Sequence, residues 1–230
     1  MTNKHDMSRY IQSFTPESVY VLGFLWADGY FDGNRVGVRN LSSDIEEIKD
    51  LFPTSIGWKH SGSSIPKSSK RPMTQVRISS KELTIFLKEL GYSKRSLGDC
   101  KLLELIPFDL HRYWYRGLID GDGNWFIGKY KNKYVRSFTI SGPKEQSWKF
   151  VSNLLEYLGC YFTTQINKLS CRGKESFHSK LYVSRFNDIL TLGEYIYEGF
   201  PEDGIGLKRK YDKFRQIVDS KTCTKDQLVV

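Results

Sequence analysis

Two stretches of the 230-residue sequence set an acid in the same surroundings, Val21-Leu-Gly-Phe-Leu-Trp-Ala-Asp-Gly29 and Tyr115-Arg-Gly-Leu-Ile-Asp-Gly-Asp-Gly123. Read as helices, each carries small residues four apart, Gly23 with Ala27 and Gly117 with Gly121, and so a flat stripe on one face. Two such stripes allow two helices to pack closely. If they cross face to face, Asp28 and Asp122 project into one small volume at two negative helix ends. Carboxylates placed so repel each other, and a hard divalent cation is the economical remedy. Mg²⁺ takes oxygen ligands and commonly uses one or two protein carboxylates beside substrate phosphates. The chemistry implied is phosphodiester hydrolysis by metal-activated water, which needs no Ser, Cys or His nucleophile.

Other site chemistries fit less well. His5, His60, His111 and His178 are dispersed, and Cys100, Cys160, Cys171 and Cys223 form no C-x-x-C pair. This spacing argues against zinc and disulfide frameworks, and the cysteines read as buried or incidental thiols. Asp120-Gly-Asp122-Gly-Asn124 opens like a calcium loop, but Trp125 stands where that loop requires Gly and Lys131 where it requires a bidentate Glu. The competing reading of each Asp-Gly pair is an ordinary turn, with Asp28 and Asp122 as plain helix caps.

The elements that must position these acids also recur. Thr15 before Pro16, and Asp109 after Pro107, start the two acid-bearing helices, and Gly29 and Gly123 stop them. Asn34 to Asn40 alternates as a strand, and Ser43-Asp44 caps a helix with apolar Ile45, Ile48, Leu51 and Phe52. In the second copy Val135 to Ser141 is the strand. Pro143-Lys144-Glu145 opens a helix carrying Trp148, Val151, Leu154, Leu155 and Leu158, which Gly159 closes. Two further strands follow in each copy: Ile56 to His60 and Met73 to Ser79, then Cys160 to Asn167 and Ser179 to Ser184. An apolar helix comes next, Lys81 to Leu90 or Phe186 to Tyr197, and finally a basic cluster, Lys94-Arg95 or Lys208-Arg209-Lys210. The expected fold is α+β, two similar αββαββα halves with two similar sheets. Residues 15–104 and 105–220 are the expected halves, flanked by tails at 1–14 and 221–230.

Composition bounds the partner. With 35 Lys and Arg against 26 Asp and Glu, the formal charge is +9, and 39% hydrophobic residues place the chain in the globular class. The charge favours a polyanion, nucleic acid or an anionic membrane surface. The longest apolar run, Val19 to Ala27, is nine residues, against the roughly 20 needed to cross a bilayer. Without a secretory pattern at the N-terminus, an intracellular location is expected, cytoplasmic or organellar.

From Thr15 to Ser220 the sequence resembles the LAGLIDADG homing endonucleases in their single-chain, two-motif form. The second motif agrees closely; the first has Trp26 where the family's first Asp stands, yet keeps Asp28. The resemblance implies a site-specific, Mg²⁺-dependent endonuclease, with Mn²⁺ or Ca²⁺ substituting for binding, that cuts one phosphodiester on each strand. Asp28 and Asp122 would hold the metal, aided by the carbonyls of Ala27 and Gly121. A basic residue near the scissile phosphates matches Lys94 or Arg95 in the first half and Lys208 or Lys210 in the second. A solvated surface is the plain alternative for those clusters. Intein signatures are absent, which suits a free-standing or intron-encoded enzyme. A non-cleaving binder of the same fold, a splicing maturase or a regulator, is the alternative function.

On the strands, Arg35, Arg39, Arg77, Lys129, Lys131, Lys133, Arg136, Lys180 and Arg185 are the candidate groove-facing cations, with Gln75, Asn132 and Gln165 as companions. The loops Ser61 to Arg71 and Ser170 to Lys174 would reach phosphates. Because the halves differ at these positions, the expected partner is a long, non-palindromic DNA duplex bound by a monomer.

Overall fold

The computed structural model describes residues 13–66, 70–92, 100–130, 133–171 and 174–220. It is α+β with two four-stranded antiparallel sheets, as the sequence predicts, and it divides into two compact units. The first comprises the chain up to Gly121 together with Gly199–Leu207; the second comprises Asp122–Glu198 and the chain from Lys208 on.

The first unit begins with α1 (Pro16–Asp28), started as Thr15 predicts: the Thr15 hydroxyl accepts from the Ser18 N–H at 3.3 Å, and Ser18 Oγ accepts from the Thr15 N–H at 2.9 Å. From Ser18 to Trp26 the helix is buried on every side, so it is a core element rather than an amphipathic one. Gly29 leads directly into β1 (Gly29–Asp32), followed by β2 (Arg35–Leu41), α2 (Ser42–Ile48), β3 (Lys59–His60), β4 (Met73–Ser79) and α3 (Lys81–Glu89). The sheet order is β1-β2-β4-β3. Val36, Val38, Val76 and Ile78 line its covered face and are buried with Ile45, Ile48, Leu83 and Leu87 of the helices. Each such side chain contributes about 1.5–3 kcal/mol on burial. The unit is completed by α4 (His111–Asp122) and by Gly199–Leu207, which returns from far along the sequence.

The second unit runs β5 (Gly123–Tyr130), β6 (Lys133–Pro143), α5 (Lys149–Tyr157), β7 (Thr163–Cys171), β8 (Lys174–Val183), α6 (Phe186–Ile196) and α7 (Lys208–Asp219). Its sheet order, β5-β6-β8-β7, repeats the first. Trp125 is the centre of the covered face, 4.7 Å from the Phe138 ring and 5.3 Å from that of Phe214.

Several boundaries differ from the sequence reading for local reasons. Helix α2 starts at Ser42 with no side-chain cap, and Asp44 is buried rather than capping. Pro143 ends β6 instead of opening a helix: its missing N–H is harmless at a strand end, and α5 starts only after Trp148. Ile56 closes a 3₁₀ turn, leaving a strand of two residues, Lys59–His60. The β7–β8 hairpin is longer than the alternation indicated, and β7 begins three residues after Cys160. Before α4, Phe108–Leu110 forms a 3₁₀ turn, so the helix starts just after the predicted Asp109.

Candidate active site

Inside the first unit, α1 and α4 pack along their stripes of small residues, as their spacing predicts. A Cβ built on Gly23 would lie 1.9 Å from the Trp114 carbonyl oxygen, and one on Gly117 would lie 2.2 Å from that of Tyr20. At the last turns, a Cβ on Gly121 would lie 2.3 Å from the Ala27 Cβ and 3.2 Å from Asp28 Oδ2. At Gly23 and Gly117 backbone therefore rests on backbone, a contact that a side chain there would block. The C-terminal turn of α1, which carries Asp28, adjoins α4 at Gly121.

The Asp28 carboxylate is half-buried and oriented: Asn40 donates to its Oδ2 through Nδ2 at 2.7 Å, while Asn40 Oδ1 accepts from the Leu41 N–H at 2.7 Å. Asn40 was missed in the sequence. The available signal was its strand parity, since it shares the covered face with Val36 and Val38, where a polar residue needs a partner. Asp122 is exposed at the end of α4. Ala27 and Gly121, the proposed carbonyl donors, lie in the same last turns. Among the described residues no three His, Cys, Asp or Glu side chains cluster as a metal site. Asp28 with the Ala27 and Gly121 carbonyls in the first unit, and Asp122 in the second, each offer oxygen donors, a hard type that suits Mg²⁺ or Ca²⁺ rather than zinc.

The preceding motif acid, Asp120, does different work. It is fully buried and accepts from the Tyr20 hydroxyl at 2.9 Å and the Leu207 N–H at 2.7 Å. One turn earlier Arg116, also fully buried, donates to Asp203 Oδ2 at 2.8 Å and to the Ile205 carbonyl at 2.6 Å. Together they clamp Gly199–Leu207 onto α4 and end that segment beside the basic cluster at Lys208. In α1 the same motif position is Trp26, whose ring packs 4.8 Å from that of Tyr92, two residues before Lys94. The sixth motif residue thus anchors the chain that precedes a basic cluster in both copies, by a charge in one and an aromatic edge in the other.

Of those clusters, Lys94 and Arg95 lie outside the described residues. Lys208 is exposed and bonds Asp212 at 2.7 Å. Lys210 is buried, and its ammonium donates to the Gly123 carbonyl, next to Asp122, where a cation compensates the negative helix end.

The strand cations sort by parity. On the open face of the first sheet stand Arg35, Arg39, Gln75 and Arg77, with Lys59 and Tyr30 beside them. Arg77 faces Gly37, which has no room for a side chain: its Cβ would lie 2.7 Å from the Tyr30 hydroxyl and 2.9 Å from the Arg77 Cβ. Arg35 makes a loose exposed pair with Asp32 at 3.4 Å, worth little. The open face of the second sheet carries Asn124, Thr139, Ser141, Lys180, Gln165 and Asn167.

Three candidates need correction. Arg136 shares parity with Phe138 and Ile140, so it lies on the covered side, bonding Ser220 Oγ at 2.7 Å with its guanidinium 5.0 Å from the Phe186 ring. Lys129 falls on the Trp125 side of β5. Arg185 lies beyond β8 and starts α6, stacked 4.1 Å over the Tyr161 ring. Lys133 opens β6, while Lys131 and Asn132 lie outside the described residues.

No protein-family model matches the sequence, and no curated protein matches it. Solved structures do. I-WcaI bound to its DNA recognition sequence is 12% identical at TM-score 0.55, covering 92% of this chain and 98% of that one. The LAGLIDADG homing endonuclease I-GzeII in complex with its DNA target is 14% identical at TM-score 0.54, with 94% and 93% covered. I-DmoI in complex with DNA and Ca is 18% identical at TM-score 0.52, with 82% and 95% covered. The fold is that of the single-chain, two-motif LAGLIDADG homing endonucleases.

Proposed function

We propose that the protein is a site-specific, Mg²⁺-dependent DNA endonuclease that binds a long, non-palindromic duplex as a monomer and hydrolyses one phosphodiester on each strand, one near each of Asp28 and Asp122. The observation that carries the reading is the Asp28 carboxylate, held by Asn40 at the tip of a helix packed on its motif counterpart through bare backbone. The structural neighbours solved on DNA support the choice of substrate. Bound Mg²⁺ supplies an acidified water and stabilisation of the leaving alkoxide. The residues of the chain do the rest: Asp28 and Asp122, with the carbonyls of Ala27 and Gly121, offer oxygen ligands, and Asn40 fixes the rotamer of Asp28. Lys208, exposed at the start of α7, is the proposed cation for the scissile phosphate.

The open sheet faces are the proposed duplex-reading surface. Lys59 and Arg77 stand directly opposite on neighbouring strands, a like-charge pair that destabilises the isolated sheet and is relieved by a polyanion. Arg35, Arg39 and Arg77 suit guanine edges and Gln75 and Gln165 suit adenine, each good bidentate pair discriminating by about 1–3 kcal/mol.

Selection of cleaved duplexes from a random library, with and without Mg²⁺, tests the function. Asp28→Asn and Asp122→Asn are expected to bind the selected duplex and not cut it; full cutting by both variants would refute the metal-ligand roles.

A further inference from the structure

On the open face of the first sheet one side chain crosses a whole strand to reach another. Tyr30 of β1 pairs with Gly37 of β2, which pairs with Arg77 of β4, and Gln75 stands two residues before Arg77. The Tyr30 side chain lies along the sheet rather than out from it. Its hydroxyl is 2.7 Å from where a Cβ on Gly37 would be, and it accepts a hydrogen bond from Gln75 Nε2. Gly37 is buried in the middle of this open face, under the tyrosine. A side chain at position 37 would close the route from Tyr30 to Gln75.

A glutamine free in water turns about several bonds and offers either end of its carboxamide. Here the main chain of Gln75 is fixed first: its N–H donates to Ser61 Oγ at 3.0 Å, and its carbonyl accepts from the Ser61 N–H at 2.8 Å. The Tyr30 hydroxyl then takes one of the Nε2 hydrogens. What is left is Oε1 and the second N–H, an acceptor beside a donor. Adenine presents the complement in the major groove, its N6 amino group and N7, whereas guanine presents two acceptors, O6 and N7.

The second unit lacks this device. In the same register Asn124 stands in the place of Tyr30, Thr139 in that of Gly37 and Lys180 in that of Gln75. Thr139 has a Cβ where Gly37 has none, so no side chain can cross there as Tyr30 does.

We propose that Tyr30 is a positioning residue for sequence recognition, whose hydroxyl holds the Gln75 carboxamide ready for an adenine at one base pair read by the first sheet. The ligand, duplex DNA, rests on the endonuclease reading; the restraint on the Gln75 side chain does not. Ordering a rotamer-rich side chain on binding carries a cost that a hydrogen bond made beforehand removes, which amounts to about 2- to 10-fold in preference.

Full-length protein tests this in two ways. In a selection of bound duplexes from a random library, Tyr30→Phe is expected to lower the adenine preference at a single base pair by about 2- to 10-fold and to leave the other positions and the urea midpoint as in wild type. Gln75→Ala is expected to abolish preference at that same base pair. The double variant Tyr30→Phe with Gln75→Ala should match Gln75→Ala alone, because the tyrosine acts only through the glutamine. In the free protein, ¹⁵N relaxation is expected to show the Gln75 side-chain amide ordered in wild type and mobile in Tyr30→Phe. Four results overturn the assignment: an adenine preference unchanged by Tyr30→Phe, a change at a base pair that Gln75→Ala leaves alone, a Tyr30→Phe effect that persists without Gln75, or an amide equally mobile in both proteins. If the wild-type protein selects no duplex, the endonuclease reading fails, and the relaxation measurement alone decides whether Tyr30 holds Gln75.

Discussion

Gly117→Ala puts one methyl group where α1 and α4 touch. On an exposed helix this exchange would stabilise by about 1 kcal/mol through helix propensity. Here the new Cβ would lie 2.2 Å from the Tyr20 carbonyl oxygen, 2.7 Å from the Phe24 nitrogen and 3.1 Å from the Gly23 carbonyl carbon. All three are backbone atoms, so no rotamer change relieves the clash, and ordinary contact requires α1 to move by about 1 Å. That helix is buried from Ser18 to Trp26, and such a shift disturbs its other contacts as well. Overpacking of this kind costs about 1–3 kcal/mol, with rigid sites at the upper end. The expected net loss is about 2 kcal/mol or more, a sizeable share of a typical stability of about 5–15 kcal/mol. Urea unfolding followed by circular dichroism measures it, with Gly62→Ala as control because nothing lies within 4 Å of a Cβ there. A Gly117→Ala protein as stable as wild type, with an unchanged denaturant slope, would refute the close-crossing argument.

Further tests follow from the same contacts. Asp120→Ala leaves the Leu207 N–H and the Tyr20 hydroxyl without their acceptor and is expected to cost about 2–5 kcal/mol by urea unfolding. Arg77→Ala is expected to relax discrimination at one or two neighbouring base pairs in a cleavage selection, whereas Arg136→Ala, on the covered face, should lower stability and leave the selected sequence unchanged. Burial pushes the Cys100 thiol from 9.0 up to about 12, so the protonated thiol belongs to the fold; its contribution is complete below pH 9 and is lost as the pH rises toward 12. Unfolding free energy measured across that window should fall with pH, and Cys100→Ala should flatten the decline.

Much of the fold is legible because it rests on local chemistry. Thr15 with Pro16 starts α1, alternation marks Met73–Ser79, and the four-residue spacing of glycines foretells the helix crossing. Misread positions have physical causes. Arg136 looks like a surface cation until its parity with Phe138 is counted, and its aliphatic stem and ring contact let it lie under the sheet. Arg116 and Asp120 were not singled out as structural, because their partners lie 87 to 89 residues downstream in a segment without regular structure. Asn40 reaches its acid through strand register, which the motif alone does not reveal.

The return of Gly199–Leu207 to the first unit bears on how the protein can be made and divided. The buried Arg116 and Asp120 take part of their hydrogen bonding from Asp203, Ile205 and Leu207, which are synthesised late in the chain. The first unit cannot close on a ribosome that has translated only the first repeat, so its folding waits for most of the chain. A gene split after Gly121, where the two units divide, would separate Arg116 and Asp120 from their clamp, and exchange of halves between such proteins would succeed only where the returning segment travels with α4.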